Sequence, residues 1–302
     1  MFMKKNQILL YITLFLAILF LLWWLGINLL KLNGSNNYTD IFPVIALIGG
    51  IGGLFVAKKW GFFKSRLGAA LSFFSIGLML QFFGSFIYTL YFRIGGIELA
   101  YPSVGDIPYL TTSVLYVVAV YYLSKVIVVR GSIFKPIGVL ITAIIMTIVL
   151  ATVLYFSFLN IAIQDPRGAI YSIVNAAYPV IQAFYFLIGI IALLQARRMA
   201  GGKMLLSVSL LLVALIVQYA ADFSFLYQAY HNTYQPAGSS DLLYTIAYGL
   251  MAFAILMIDR VRDSLVSKPS SKQMTNDSSV GSNQATPLGQ GDNGAQQGGN
   301  NG

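Results

Sequence analysis

The chain of 302 residues has no cysteine and a single histidine, His231. Disulfides, thiolate metal sites and cysteine nucleophiles are excluded, and no imidazole cluster is available for zinc. No histidine, carboxylate and serine stand together as a catalytic triad would require. Charge is scarce too: 10% of residues are Asp, Glu, Lys or Arg, against about 25% in soluble domains. Membrane enzymes need convergent acids, bases or metal ligands. Scattered single carboxylates do not supply them, so neither enzymatic activity nor a cofactor or metal is expected. What is abundant is apolar: 58% of the chain is hydrophobic and its mean hydropathy is +0.76. That excludes an ordinary soluble globule, and it excludes disorder over most of the length.

A helix needs about 20 apolar residues to cross a bilayer. Eight runs qualify: 8–30, 41–60, 67–92, 109–129, 136–159, 169–196, 204–227 and 242–258. They predict an all-α polytopic membrane bundle over 1–262. The first run is about twice as long as a signal-peptide core and no small-residue cleavage site follows, so it reads as a retained helix.

The basic residues orient the bundle. With the N-terminus cytoplasmic, Lys4, Lys5, Lys58, Lys59, Lys64, Arg66, Lys125, Arg130, Lys135, Arg197, Arg198, Lys203, Arg260, Arg262, Lys268 and Lys272 all fall inside. Only Lys31, Arg93 and Arg167 fall outside. Cytoplasmic loops carry the excess of Lys and Arg, so both termini are expected inside, in a multi-pass protein of the cell membrane. The net charge of +9 is then a topology signal. The basic residues are spread over short loops, so the lipid bilayer is the expected partner and nucleic acid is not. From Asp263 onward Ser, Asn, Gln and Gly dominate. The segment 263–302 is expected to be a disordered cytoplasmic tail, a solvated extension or a docking segment. The Asn37-Tyr-Thr39 pattern matters only in a eukaryotic secretory pathway and is read as chance.

The third and fourth runs align with the seventh and eighth. At an offset of 137, Ser72 matches Ser209, Gln81 matches Gln218 and Ser85 matches Asp222. At 135, Asp106 matches Asp241 and Tyr109 matches Tyr244. Both pairs start on the same side, which predicts a parallel repeat of helical hairpins, with the fifth and sixth runs as a more diverged copy. A polar residue followed three positions later by an aromatic recurs at Ser85–Tyr88, Asp106–Tyr109, Gln182–Tyr185, Asp222–Phe225 and Asp241–Tyr244. That spacing shares one helix face.

Polar groups within membrane spans are functional candidates because they are costly there. Asp222 lies about one and a half turns from the outer end of its helix, with Gln218 on the same face. Gln81 and Ser85 occupy the matching depth, and Asn175, Tyr178 and Gln182 surround Pro179, which is expected to kink its helix. Together they predict a polar pocket opening outward. Hydrogen bonding between helices, worth about 0.6–2 kcal/mol per contact, is the competing reading. An unpaired Asp222 would suit a proton relay, but no lysine or arginine lies at its depth. Asp106 with Tyr109, and Asp241 with Tyr244, open helices at the outer end. Those carboxylates are expected to cap the helix starts or to face a vestibule. Gly49, Gly50, Gly52 and Gly53 predict close helix packing, within the chain or at a dimer face. Trp23, Trp24 and Trp60 suit an interfacial belt. His231, in an outer loop, carries no assigned role.

Tyr101-Pro-Ser-Val-Gly-Asp106-Ile-Pro-Tyr109-Leu110 resembles the Pro-Ser-x-x-Asp-x-x-Tyr-Leu signature of a bacterial membrane sensor module. That module precedes diguanylate cyclase and cyclic-di-GMP phosphodiesterase domains. Ala177-Tyr178-Pro179 is similar to its Tyr-Pro element. Ala221-Asp222-Phe223, Tyr234-Gln-Pro236 and Asp241-Leu-Leu-Tyr244 are similar to its closing block. The resemblance covers roughly residues 40–258. Ser85 and Gln182 depart from it, standing where the module carries aspartates. No cyclase, phosphodiesterase or kinase domain follows in this chain. The resemblance implies a sensor that passes an outer-face or in-membrane signal to a separate cytoplasmic signalling protein, with a small molecule as one form of signal. A small transporter or ion-conducting protein built around Asp222 is the alternative, and a structural or assembly protein the third reading.

Overall fold

Inside a bilayer no water is available to the backbone, so a spanning segment must satisfy its own N–H and C=O groups, as a helix does. A computed structural model describes residues 5–97, 103–127, 137–160, 168–196 and 203–266. In chain order these form α1 (Lys5–Leu29), α2 (Ser35–Ile41), α3 (Val44–Lys59), α4 (Arg66–Arg93), α5 (Asp106–Ile127), α6 (Ile137–Leu154), α7 (Ala169–Ala196), α8 (Lys203–Tyr230) and α9 (Ser239–Val266). No strand occurs among the described residues. Eight helical segments there are long and apolar enough to cross a membrane, with α2 and α3 sharing one span. The protein is a polytopic membrane helix bundle.

The helices exceed the apolar runs where polar residues join them. The second span begins at Ser35 rather than at residue 41, because the polar Ser35-Asn-Asn-Tyr-Thr-Asp40 stretch folds as α2 before the break at Phe42 and Pro43. The last span, expected over 242–258, runs from Ser239 to Val266. Its first turn is Ser239, Ser240 and Asp241, and beyond the apolar stretch Asp259, Arg260 and Arg262 extend the same helix. Helix α4 starts on a side-chain cap, Ser65 Oγ accepting from Gly68 N at 2.9 Å. Pro179 sits inside a continuous α7, whose bounds are those of the sixth run. After Leu154 helix α6 widens into a π turn over Tyr155–Leu159. Several sequence expectations lie outside the described residues: those on Lys4, Tyr101, Pro102, Arg130, Lys135, Arg167, Arg197, Arg198, Lys268 and Lys272, and the tail beyond Val266.

Helix α3 is the hub. It packs on α1 and α4, and its glycines also take up α9. A Cβ on Gly49 would meet Ala252, one on Gly52 would meet Leu9 and Leu256, and one on Gly53 would meet Ser75 and Ile255. All four glycines are buried against helices of the same chain, so the dimer-face reading of this stripe fails. Lipid tails are as apolar as leucine, so close van der Waals approach, rather than a hydrophobic drive, holds such helices together. At the end of α3, Lys59 Nζ lies 2.8 Å from both carboxylate oxygens of Asp259 on α9. The core continues through α4, α5, α7 and α8, with Leu71, Phe74, Leu78, Tyr116, Leu123 and Leu211 fully buried. Helices α1 and α6 are peripheral, showing Phe15, Leu22, Ile144 and Ile148 outward.

A Cβ on Gly50 would lie 2.7 Å from the carbonyl oxygen of Ser75, a backbone atom that cannot step aside. Gly50→Ala is expected to destabilise by about 1–3 kcal/mol, the usual cost of overpacking. Gly138→Ala, with nothing within 4 Å of the added carbon, is the neutral control. Thermal unfolding in detergent, followed by tryptophan fluorescence, compares the two.

Candidate functional site

At the end of the bundle away from Lys59, α2 lies beside the C-terminal parts of α4 and α8 and the N-terminal parts of α5, α7 and α9. They enclose a cavity of about 620 Å³. Its wall includes Ser85, Tyr109, Tyr178, Gln182, Asp222, Asp241 and Tyr244, all expected from the sequence. Asn36 and Asn232, both exposed, also belong to it.

Asp222 is the deepest charged group in this wall. Its carboxylate accepts hydrogen bonds from Gln218 Nε2 at 2.9 Å, from Tyr244 Oη at 2.9 Å and from the Tyr185 hydroxyl. Helices α7, α8 and α9 are tied together through this one side chain. The condition for a proton relay, an unpaired Asp222, is not met: three neutral donors engage the carboxyl. Four-residue spacing on α8 puts Gln218 within reach, so Gln218 sits behind the wall as a support.

Gln81 and Asn175 also lie behind the wall rather than in it. Gln81 Oε1 accepts from Tyr248 Oη at 3.0 Å, and it is Tyr248 that faces the cavity. Asn175 is buried, and its backbone carbonyl accepts from Tyr230 Oη at 3.3 Å. Both occupy seams where a neighbouring tyrosine reaches in and covers them.

The two helix-opening aspartates behave alike: each accepts a backbone N–H, as expected of a cap, but from the loop behind the helix start. Neither carboxylate caps the amides ahead of it; each turns back to the loop behind. Asp106 Oδ2 accepts from Ser103 N at 2.6 Å and from Tyr88 Oη at 2.6 Å, while Ser103 Oγ accepts from Gly105 N at 3.2 Å. This is the reciprocal exchange of a capping box. Asp241 Oδ2 accepts from Ala237 N at 2.8 Å and from Thr39 Oγ1 at 2.6 Å. Ala237 has φ 57°, the left-handed bend that turns the loop back over the helix start. Asp106 lies outside the cavity wall; Asp241 lies in it. Tyr234 Oη donates to Asp241 at 3.3 Å. Burial, reinforced by the charge of Asp241, holds the Tyr234 phenol well above its ordinary pKa, so it stays a donor.

The aligned hairpins repeat a contact. Ser85 Oγ and Tyr109 Oη are 2.6 Å apart, and their counterparts Asp222 Oδ1 and Tyr244 Oη are 2.9 Å apart. Where the first hairpin has a serine, the second has a carboxylate.

Sequence reasoning missed the contribution of α2: Asn36, Thr39 and Asp40 all line the cavity. Asp40 pairs with Arg93 at 2.6 Å and accepts from Thr89 Oγ1 at 2.9 Å. Polar and ahead of an apolar run, the stretch read as loop; an available signal was its length, two helical turns ending at a proline. Asn232 and Tyr234 were missed as wall residues because loop side chains carry no periodicity, and Gln228 because it sits in the last turn of α8, just past the end of the apolar run at 227. The tryptophans do more than sit at an interface. Trp24 Nε1 donates to Gly238 O at 3.1 Å, and Asn28 Nδ2 donates to Ala237 O at 3.0 Å, so α1 clamps the loop before α9. His231 is exposed, its ring tilted against that of Tyr227, and outside the wall.

No protein-family model, no curated protein and no solved structure matches the chain. Its class is set by the fold and the cavity: a polytopic helix bundle with a polar, aromatic-walled cavity at one end.

Thr39 joins α2 to Asp241 and also accepts from Ala237 N at 3.0 Å. Thr39→Val is expected to cost about 1.5–3 kcal/mol, the range for hydrogen bonds to a charged group, and to loosen residues 231–238. Thr111→Val, on an exposed turn, leaves both unchanged. Hydrogen–deuterium exchange of that loop is the measurement.

Proposed function

We propose that this protein is an integral membrane sensor or receptor-like module. It receives a signal at the cavity and passes it to a separate cytoplasmic partner. The observation that carries the reading is convergence. Tyr109, Tyr178, Asp222, Tyr234, Pro236, Asp241 and Tyr244 come from separate segments of the sensor-module resemblance, and all line the one cavity. Lys58, Lys59, Lys64, Arg66 and Lys125 lie toward the opposite end, which supports an outward-facing cavity. Helix α9 is the conduit in this reading. It runs from Asp241 at the cavity to Asp259, which holds Lys59 at the other end. A shift of α9 at Tyr244 would be felt at that ion pair and beyond it.

Transport is the second reading. Asp222 favours it, as a carboxylate within a span facing a cavity. Weighing against it, the bundle beneath the cavity is filled by Phe74, Leu78, Tyr116, Met251 and Ile255, all fully buried.

The test is crosslinking affinity capture from native cells, using the full chain and a version ending at Val266. Recovery of a cyclase, kinase or regulator with the full chain is the expected result. Its loss with the shortened version would assign docking to the tail. No reproducible partner from either would sink the sensor reading, and flux into proteoliposomes would then test transport. Orientation has its own check, made simple by a chain without cysteine. In intact cells an impermeant maleimide is expected to label an Asn232→Cys protein. A Lys64→Cys protein should label only after permeabilisation.

A further inference from the structure

We infer that the cavity selects a small protonated amine, bound between Asp222 and Gln182. The inference rests on the reading that the cavity receives a ligand and names that ligand's chemistry.

Charge is the first argument. Asp40 is matched by Arg93 at 2.6 Å. Asp106 and Asp241 each stand in the first turn of a helix, where the backbone dipole presents its positive end. Asp222 has neither. It lies toward the C-terminal, negative end of α8, and its partners Tyr185, Tyr244 and Gln218 are neutral donors. No lysine, arginine or histidine belongs to the cavity wall among the described residues. Hydrogen bonds from neutral groups hold the carboxyl in place, and a cation in the cavity would supply the opposite charge that its neighbours lack.

Hydrogen-bonding capacity is the second, independent argument. Gln182 is 2% exposed, lines the same cavity, and its amide oxygen accepts no hydrogen bond. Buried acceptors are rarely left so, because desolvation without a partner is costly. Four of the wall's tyrosines already donate elsewhere: Tyr88 to Asp106, Tyr234 to Asp241, Tyr244 to Asp222 and Tyr248 to Gln81. A carboxylate offers about four acceptor positions, and three are filled at Asp222. At these two residues the open positions are acceptors, and the complementary ligand group is a donor.

Size and surface choose among cations. At about 620 Å³ the cavity falls in the range of small-molecule pockets. The negative faces of rings such as Phe42, Tyr109, Tyr178 and Phe225 attract an organic cation. A bare metal ion prefers a cage of oxygen ligands, and no group of three or more His, Asp or Glu suited to one occurs among the described residues. A quaternary ammonium has the charge but no N–H for Gln182. A primary or secondary ammonium has both.

The experiment titrates the purified full chain in nanodiscs at pH 7 with benzylamine, its neutral isostere benzyl alcohol, tetramethylammonium and sodium chloride. Binding is read as a saturable rise in unfolding temperature. Benzylamine is expected to bind about tenfold or more tightly than benzyl alcohol, as removal of one partner of a buried charge pair implies. Tetramethylammonium is expected between them, and sodium is expected to have no saturable effect. Asp222→Asn should remove the preference for the amine. Gln182→Met should weaken benzylamine several-fold while leaving its preference over tetramethylammonium reduced. Either variant counts only if its helical circular dichroism and gel-filtration profile match the parent. Equal binding of benzyl alcohol would overturn the charge requirement while keeping a ligand cavity. Unchanged amine binding in Asp222→Asn would overturn the assignment to that residue. If none of the probes binds, the inference falls, and partner capture alone then decides the sensing reading.

Discussion

A carboxylate inside an apolar bundle has to be hydrogen-bonded from several directions, and this requirement organises the upper half of the molecule. Asp222 meets it by drawing on three helices: Tyr185 from α7, Gln218 from its own α8 and Tyr244 from α9. No two of these helices could slide past each other without leaving the charge partly unpaired. Burying an unpaired charge is far more costly than burying an apolar side chain. The cavity is the space left where those three helices meet α2, α4 and α5, so its wall inherits the rigidity of the network.

The lower half is held differently. There the glycines of α3 bring α4 and α9 to backbone contact and seat the Leu9 side chain of α1, and large side chains fill what remains. A charged contact links α3 and α9, Lys59 with Asp259, and lies where α3 ends. This division suits a module that reads a signal at one end. The polar network gives the cavity a defined chemistry, while the close-packed part turns a small displacement into movement of whole helices, because packed interfaces are not continuously deformable.

The two aligned hairpins differ in chemistry at one matched contact. Ser85 with Tyr109, and Asp222 with Tyr244, are matching pairs joined by matching hydrogen bonds. Where the first has a hydroxyl the second has a carboxyl, and Tyr185 of the intervening hairpin donates to it. Asp106 and Asp241 kept the same structural task, gathering the preceding loop, yet only the second ended up in the cavity wall.

Much of this was legible in the residues. The apolar runs foretold every span, because hydrocarbon thickness dictates helix length irrespective of neighbours. The polar residues within them foretold part of the cavity wall, Ser85, Gln182 and Asp222 among it, since a bilayer leaves such groups little choice but to face the protein interior. Local chemistry could not say which polar residues would reach open space and which would be covered. Gln81 and Gln218 look like Gln182 in sequence, and only packing distinguishes them: Tyr248 covers the first, the second turns its amide nitrogen to Asp222 behind the wall, and the third lines the cavity. Likewise the polar turn of α2 gained its role from Arg93 and Asp241, partners 53 and 202 residues away. Composition and periodicity determined a bundle of membrane helices, because those depend on each segment and its solvent. The cavity, its open acceptors and the fate of each carboxylate were decided by tertiary contacts, because a hydrogen bond depends on where a distant partner comes to rest.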